Sequence, residues 1–316
     1  MTLALAALSH APTFGLVDPG DGVREELDAA LDDLGSFARD FAPELTIIFG
    51  PDHFNGVFYD MMPSFCVGAQ AAGVGDWGTE VRPLPVDPGY ARRLAAAVMD
   101  AGVDVARSER LDVDHGVVQP LEFLYGRGFT EPVVPVVVNC VGLPLGPVRR
   151  ARLLGDAVGR FALADGRRTL IVASGGLSHD PPVPVFDDAT PERAAGLIDG
   201  RGVTPEQRAE RERHILTTAS RNLAGERLMR DINPEFDALV MRTLADGELE
   251  RTDGWTGDGL ASEGGSGAQE IRCWIAAFSA LRVAGAYRTG MRRYWPIEPW
   301  NTGFAAMTAM TTGTVT

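Results

Sequence analysis

The sequence predicts an α/β protein with a central, mostly β-sheet core, helices on both faces of that sheet, and a helical C-terminal part. Two observations carry this expectation. Short apolar runs at residues 3–8, 45–49, 133–138 and 169–173 alternate with longer stretches whose apolar residues recur at helical spacing. Each short run is apolar almost throughout rather than at every second position, which marks strands covered on both faces.

In chain order, residues 3–8 read as a buried strand closed by Ser9-His10-Ala11-Pro12. Residues 23–41 form a helix by the spacing of Leu27, Leu31, Leu34, Ala38 and Phe41, with acids on the other face. The second strand, 45–49, stops at Gly50-Pro51 and runs directly into Asp52-His53. A helix over 88–101 starts on Pro88. The β-branched run 133–138 is the clearest strand. A helix over 149–164 follows, then a strand over 169–173 that ends in Ser174-Gly175-Gly176-Leu177-Ser178-His179. Beyond Pro181 the chain reads as a polar, arginine-rich helical stretch over 204–228 and a helix over 234–245. A glycine-rich loop over 253–267 then leads into an apolar helix reaching about residue 286. Without an internal repeat or linker, residues 1–316 are expected to form a single domain with a helical C-terminal part.

Composition excludes several functions. A net charge of -14 argues against nucleic acid and against anionic membrane surfaces. All 29 basic residues are arginine, which removes Schiff-base, pyridoxal-phosphate and P-loop chemistries, since each needs a lysine. Cys66, Cys140 and Cys273 are too few and too scattered for a disulfide framework. The apolar opening lacks the basic flank of a signal peptide, and no run approaches the roughly 20 apolar residues of a membrane helix. The expected setting is cytoplasmic.

The chain holds five histidines, and His10, His53 and His179 each follow a predicted strand. Ligands of open α/β sheets bind beyond the carboxyl ends of strands, so these imidazoles are expected to share one crevice. His115, in Asp112-Val113-Asp114-His115-Gly116, lies in a loop available to the same site. His214, inside a charged helical stretch, is expected at the surface or in helix packing, outside the site. No spacing points to structural zinc, whereas two histidines and a carboxylate suit a non-haem iron that keeps open positions. Spacing alone does not choose among 43 acids; Glu270, after the glycine loop and at the start of an apolar helix, is the nominee.

Together, Ser9-His10-Ala11-Pro12, Pro51-Asp52-His53-Phe54-Asn55-Gly56, Asp114-His115-Gly116 and Ser174-Gly175-Gly176-Leu177-Ser178-His179 resemble the class III extradiol ring-cleavage dioxygenases. The likeness runs nearly end to end, through Gln119-Pro120-Leu121-Glu122 and the segment from Glu270 to Trp274. It implies Fe(II) held by His10, His53 and Glu270, with His115 as proton donor and His179 as proton acceptor. It also implies a catechol and dioxygen as partners, with 3-(2,3-dihydroxyphenyl)propionate and its cinnamic analogue as substrates, and a homo-oligomer. Ala268-Gln269 departs from the threonine-histidine pair expected there. A propionate side chain calls for a cation or polar clamp, for which Arg288, Arg292, Arg293 and Tyr59 are candidates.

Three other readings compete. The same scaffold can cleave another catechol or an aminophenol, or persist as an inactive metal-binding subunit. A serine hydrolase on Ser178 and His179 would place adjacent side chains face to face and lacks a Gly-x-Ser-x-Gly elbow. The run Gly264-Gly265-Ser266-Gly267 follows no strand and has no lysine, so it reads as a flexible loop rather than a phosphate cradle.

Overall fold

The structure is a computed structural model that describes residues 2–226 and 228–312. Its elements run β1 (Leu3–Leu8), α1 (Val23–Phe41), β2 (Leu45–Gly50), β3 (Phe65–Gly68), β4 (Ala71–Val74), β5 (Val81–Pro83) and α2 (Pro88–Asp100). The middle of the chain supplies β6 (Ala106–Ser108), β7 (Leu111–Val113), α3 (His115–Tyr125), β8 (Val133–Val138), α4 (Arg149–Asp165) and β9 (Thr169–Ser174). Then come α5 (Pro191–Ile198), α6 (Pro205–Arg221), α7 (Pro234–Ala245), α8 (Gly257–Gly264) and α9 (Ile271–Arg282), and finally β10 (Tyr287–Ile297) and β11 (Thr302–Thr311).

The main sheet has the order β10-β11-β1-β9-β2-β8-β3-β6, and a small sheet of β5-β4-β7 lies apart from it. β1, β9, β2 and β8 are parallel neighbours, while β11 closes antiparallel on β1. Successive side chains of a strand point to opposite faces, and both faces are covered here. Leu3, Leu5 and Ala7 of β1 join Ile47, Phe49 and Ile171 in a core with Leu94 of α2, Leu154 of α4 and Phe278 of α9. Ala4, Ala6 and Leu8 point the other way, into a core with Leu27 and Leu34 of α1 and Leu121 of α3. Each buried leucine contributes about 1.5–3 kcal/mol relative to exposure.

Helix α9 lies against α4 with their backbones close together. A Cβ on Gly155 would fall 2.0 Å from the carbonyl oxygen of Ala276, and one on Gly159 would fall 2.3 Å from that of Ala280. These glycines therefore set how deep α9 sits, and α9 follows directly on Glu270.

Residues 191–282 are largely helical, as expected, but the chain then returns to the sheet through β10 and β11. The sequence of β11, TGFAAMTAMT, is rich in alanine and methionine and has little intrinsic strand preference. Its nine buried positions and its pairing with β1 make it a strand. Residues 253–267 are not a loop: α8 and short 3-10 turns occupy most of them. The arginine-rich helix ends at Arg221 and continues as one π-helical turn, Asn222–Glu226. His115 opens α3 rather than lying in a loop, with Asp114 as the N-cap.

Gly155→Ala is expected to lower unfolding stability by about 1–3 kcal/mol, because the backbone it meets has no room to yield. Gly254→Ala, whose methyl would meet nothing within 4 Å, is the control and should stay within about 0.5 kcal/mol of the wild type. Chemical denaturation of both variants checks this; equal stability of the two would contradict the close-packed α4–α9 contact.

Candidate metal centre

The strands β1, β9 and β2 are adjacent and parallel, so their carboxyl ends open on one crevice. His10 follows β1, His53 follows β2, and the chain leaving β9 delivers His179. His115 arrives at the first turn of α3, and Glu270 arrives just before α9. All five residues line one cavity of about 200 Å³. His10, His115 and Glu270 are buried there. A wider open groove bounded by α7 and α8 holds none of them.

Each imidazole is tied back through Nδ1 and presents Nε2 to the site. Nδ1 of His10 pairs with the Ser174 hydroxyl at 2.9 Å. Nδ1 of His53 donates to Asp114 at 3.1 Å, and Nδ1 of His115 donates to Asp76 at 2.5 Å. Nδ1 of His179 donates to the Leu177 carbonyl at 3.0 Å. Partners of this kind fix the tautomer and the direction of the free nitrogen.

Glu270 is the carboxylate these nitrogens meet. Nε2 of His53 lies 3.0 Å from Oε1, that of His179 3.6 Å from Oε1, and that of His10 3.7 Å from Oε2. The amide of Gly176 donates to Oε2 at 2.7 Å. Burial alone would raise the Glu270 pKa, but the His10 and His179 charges and hydrogen bonds from His179 and His53 hold it well below the usual range. Burial lowers His10 to about 3, only partly offset by Glu270. For His53, burial is outweighed by Asp114 and Glu270, and its pKa rises well above the ordinary value. His179 is likewise raised, because Glu270 overcomes its burial.

Asp114 accepts both the backbone N–H and Nδ1–H of His53, Nδ2–H of Asn55 and the N–H of Gly116. Asp76 accepts the backbone N–H and Nδ1–H of His115. In the sequence Asp114 stands out only as the neighbour of His115, and Asp76 does not stand out at all. The one local signal was an aspartate in the N-cap position of a helix. Trp77 and Asn301, both in the cavity wall, have left-handed backbone with φ of 50° and 47°.

The glycine run before Glu270 is a packing surface for His179 rather than a flexible loop. The amide of His179 donates to the Gly264 carbonyl at 2.8 Å, and the Gly267 amide returns a bond to the His179 carbonyl at 3.0 Å. A Cβ on Gly267 would lie 2.2 Å from Nε2 of His179. Ser178 points away: its hydroxyl donates to Asp237 at 2.6 Å and accepts from the Asn233 amide, which removes it as a hydrolase nucleophile. Cys140 is buried against Cys273, with 3.9 Å between the sulfurs. Gln269 bonds the Gly257 carbonyl and Arg272, so the departure at Ala268-Gln269 leaves the imidazole cluster untouched. Arg288, Arg292 and Arg293 are exposed on the edge strand β10, and Tyr59 packs on Phe54 and Phe186; none lines the cavity. Among the described residues, the cavity's arginines are Arg208 and Arg211 of α6. His214 is exposed on the same helix.

The residues fit a metal ion. Donor atoms of His10, His53 and His115 lie within 4.8 Å of one another, beside a buried carboxylate. Nε2 of His115 is buried with no hydrogen-bond partner among the described residues. The group Asp76, Asp114 and His115 also clusters, but N–H donors already occupy its carboxylate oxygens.

A family model described as the catalytic LigB subunit of aromatic ring-opening dioxygenase matches residues 4–305. A Rhodococcus sp. protein named 2,3-dihydroxyphenylpropionate/2,3-dihydroxicinnamic acid 1,2-dioxygenase is 47% identical over 310 residues, 98% of this chain and 99% of its own length. The protein of that name from Cupriavidus pinatubonensis is 46% identical over 309 residues, 98% of either chain. Among solved structures, an uncharacterized Escherichia coli K12 protein aligns with a TM-score of 0.50 at 14% identity, over 96% of this chain and 98% of its own, a likeness of fold alone.

Asp114→Ala removes the acceptor of His53 Nδ1–H and the cap of α3 together. It should weaken binding of a divalent ion by about 10–100-fold and destabilise the fold by about 1–3 kcal/mol. Metal titration and denaturant unfolding read the two effects separately; full metal affinity in this variant would contradict the role given to Asp114.

Proposed function

This chain belongs to the LigB family of aromatic ring-opening dioxygenases, and we propose that it opens the ring of 3-(2,3-dihydroxyphenyl)propionate, and of its cinnamic analogue, beside the diol. Both atoms of dioxygen enter the product, which from the propionate is 2-hydroxy-6-oxonona-2,4-diene-1,9-dioate. The observation that carries this reading is the set of four imidazoles, each tied back through Nδ1 and turned by Nε2 toward one cavity that also holds Glu270. The names of full-length relatives at 46–47% identity support the choice of substrate.

In this reading His10, His53 and Glu270 hold Fe(II). Iron there supplies a redox-active Lewis acid with positions left for substrate, and the catechol itself supplies the electrons, so no further reductant is needed. His10 and His53 are suited to the task because Ser174 and Asp114 hold their Nδ1 atoms and turn Nε2 toward Glu270, where an ion would replace the proton that His53 shares with the carboxylate.

His179 is the proton acceptor. With Nδ1–H committed to the Leu177 carbonyl, its neutral form offers a lone pair at Nε2 to a catechol hydroxyl. His115 is the proton donor. Asp76 holds its ring from behind and balances the imidazolium, while Nε2 has no protein acceptor to divert its proton. Each transfer is worth about 10²–10⁴ in rate. The glycines flanking His179 keep its ring where it can reach substrate. The proposal treats the whole chain as one catalytic domain, with a cytoplasmic setting and a homo-oligomeric working form. No helix of the described residues is long and apolar enough to cross a membrane.

The test is anaerobic loading with Fe(II), then an oxygen electrode and an absorbance scan for the yellow product. His10→Ala, His53→Ala and Glu270→Ala should lose iron. His115→Gln and His179→Gln should keep it while turnover falls by about 10²–10⁴. Equal iron loss in all five variants would contradict this division of roles. Gly267→Ala should behave like His179→Gln, with iron retained and turnover reduced, because its methyl would occupy the space of His179 Nε2; wild-type turnover would refute that packing constraint.

A further inference from the structure

The cavity above Glu270 is bounded on one side by a helix that contributes nothing to the core. No residue of α6 is buried, yet Arg208, Arg211, Glu212 and Ile215 line the cavity together with the histidines. Their spacing places them along one helical face. The helix is held by a Thr204–Gln207 capping box and by Glu212, which accepts the Trp77 amide at 2.8 Å.

Among the described residues the two arginines lack a carboxylate, as Arg193, Arg213 and Arg230 also do, but of these five only Arg208 and Arg211 line the cavity. Arg201 pairs with Asp60 and Asp199, and Arg221 pairs with Glu226, so acids are at hand in this region. Among the described residues, neither Arg208 nor Arg211 has a carboxylate oxygen within 4.0 Å. Arg208 donates only to Asn55 Oδ1, at 3.0 Å. Asn55 in turn donates to Asp114, which also holds His53. Arg211 makes no hydrogen bond among the described residues, and partial desolvation at the cavity wall together with the Arg208 charge lowers its pKa. Two adjacent guanidinium groups left unpaired in a chain of net charge -14 repel each other unless an anion joins them.

Resting on the ring-cleavage reading above, we propose that Arg208 and Arg211 clamp the side-chain carboxylate of the catechol substrate. Diol and carboxylate then anchor the two ends of one molecule, the first at the histidine cluster and the second at α6. A guanidinium fork matches a carboxylate in geometry and charge. The clamp selects catechols bearing an anionic side chain, and Arg208 passes the substrate's position to Asn55.

Steady-state kinetics of the Fe(II)-loaded enzyme with 3-(2,3-dihydroxyphenyl)propionate and with 3-propylcatechol, which lacks only the charge, test the clamp. Arg208→Gln and Arg211→Met should each lower kcat/KM for the carboxylate by about 10–100-fold, mainly through KM. They should change 3-propylcatechol by less than about threefold. Arg211→Lys should recover part of the loss, and Arg213→Met should lose nothing. Calorimetric titration of 3-phenylpropionate, which carries the carboxylate and cannot be cleaved, gives a readout independent of turnover and should weaken in parallel. If the variants lose both catechols equally, or neither, the clamp is overturned while ring cleavage stands. If 3-phenylpropionate binding depends on the arginines but the wild type cleaves no catechol, ring cleavage fails and the clamp stands. Wild-type binding of 3-phenylpropionate that neither variant weakens overturns the clamp outright.

Discussion

Glu270 is a carboxylate cut off from water, and the architecture around the site answers to that fact. A buried anion is costly unless donors or cations replace its hydration. Here the Gly176 amide and the inward nitrogens of His10, His53 and His179 do so. Bringing them so close requires backbone without side chains. Gly175, at a φ of 149°, passes so near that a Cβ would meet that of Glu270 at 2.7 Å. The seat of α9 on Gly155 and Gly159 of α4 sets the depth at which Glu270 arrives. Glycines in two separate segments, α4 and the end of β9, thus serve one carboxylate.

The second requirement is direction. An imidazole has two nitrogens, and only a partner on one of them decides which the cavity sees. Asp114, Asp76, Ser174 and the Leu177 carbonyl make that choice for four rings. Asp114 does it while capping α3 and receiving Asn55, so helix start, imidazole orientation and cavity wall share one side chain. Left-handed backbone at Trp77 and Asn301 lies in the same wall, where sparsely populated conformations tend to collect.

Chemistry and selection are divided between different kinds of structure. The four cavity histidines and Glu270 stand on strand ends and helix starts rooted in two cores. The arginines that face the substrate space stand on α6, which buries nothing. A change on such a helix need not disturb the sheet, so the identity of the bound aromatic can vary while the imidazole cluster stays in place.

Local patterning in the sequence was enough to determine the alternation of strands and helices, the strands at 3–8, 133–138 and 169–173, and the placement of His10, His53 and His179 beyond strand ends. The motifs then singled out His115 and Glu270, and all five residues line one cavity. Order in the sheet was not legible. That β1, β9 and β2 are neighbours depends on long-range pairing, which no local pattern encodes. β11 was missed for the same reason, since alanine and methionine become a strand only beside β1. The glycine run at 264–267 looked flexible because glycine's freedom is visible in a sequence, whereas the imidazole that needs its missing side chains is not. Arg208 and Arg211 likewise resemble any surface arginine until the fold lays α6 along the cavity. What a residue can do follows from its type; what it meets is decided by segments far away in the chain.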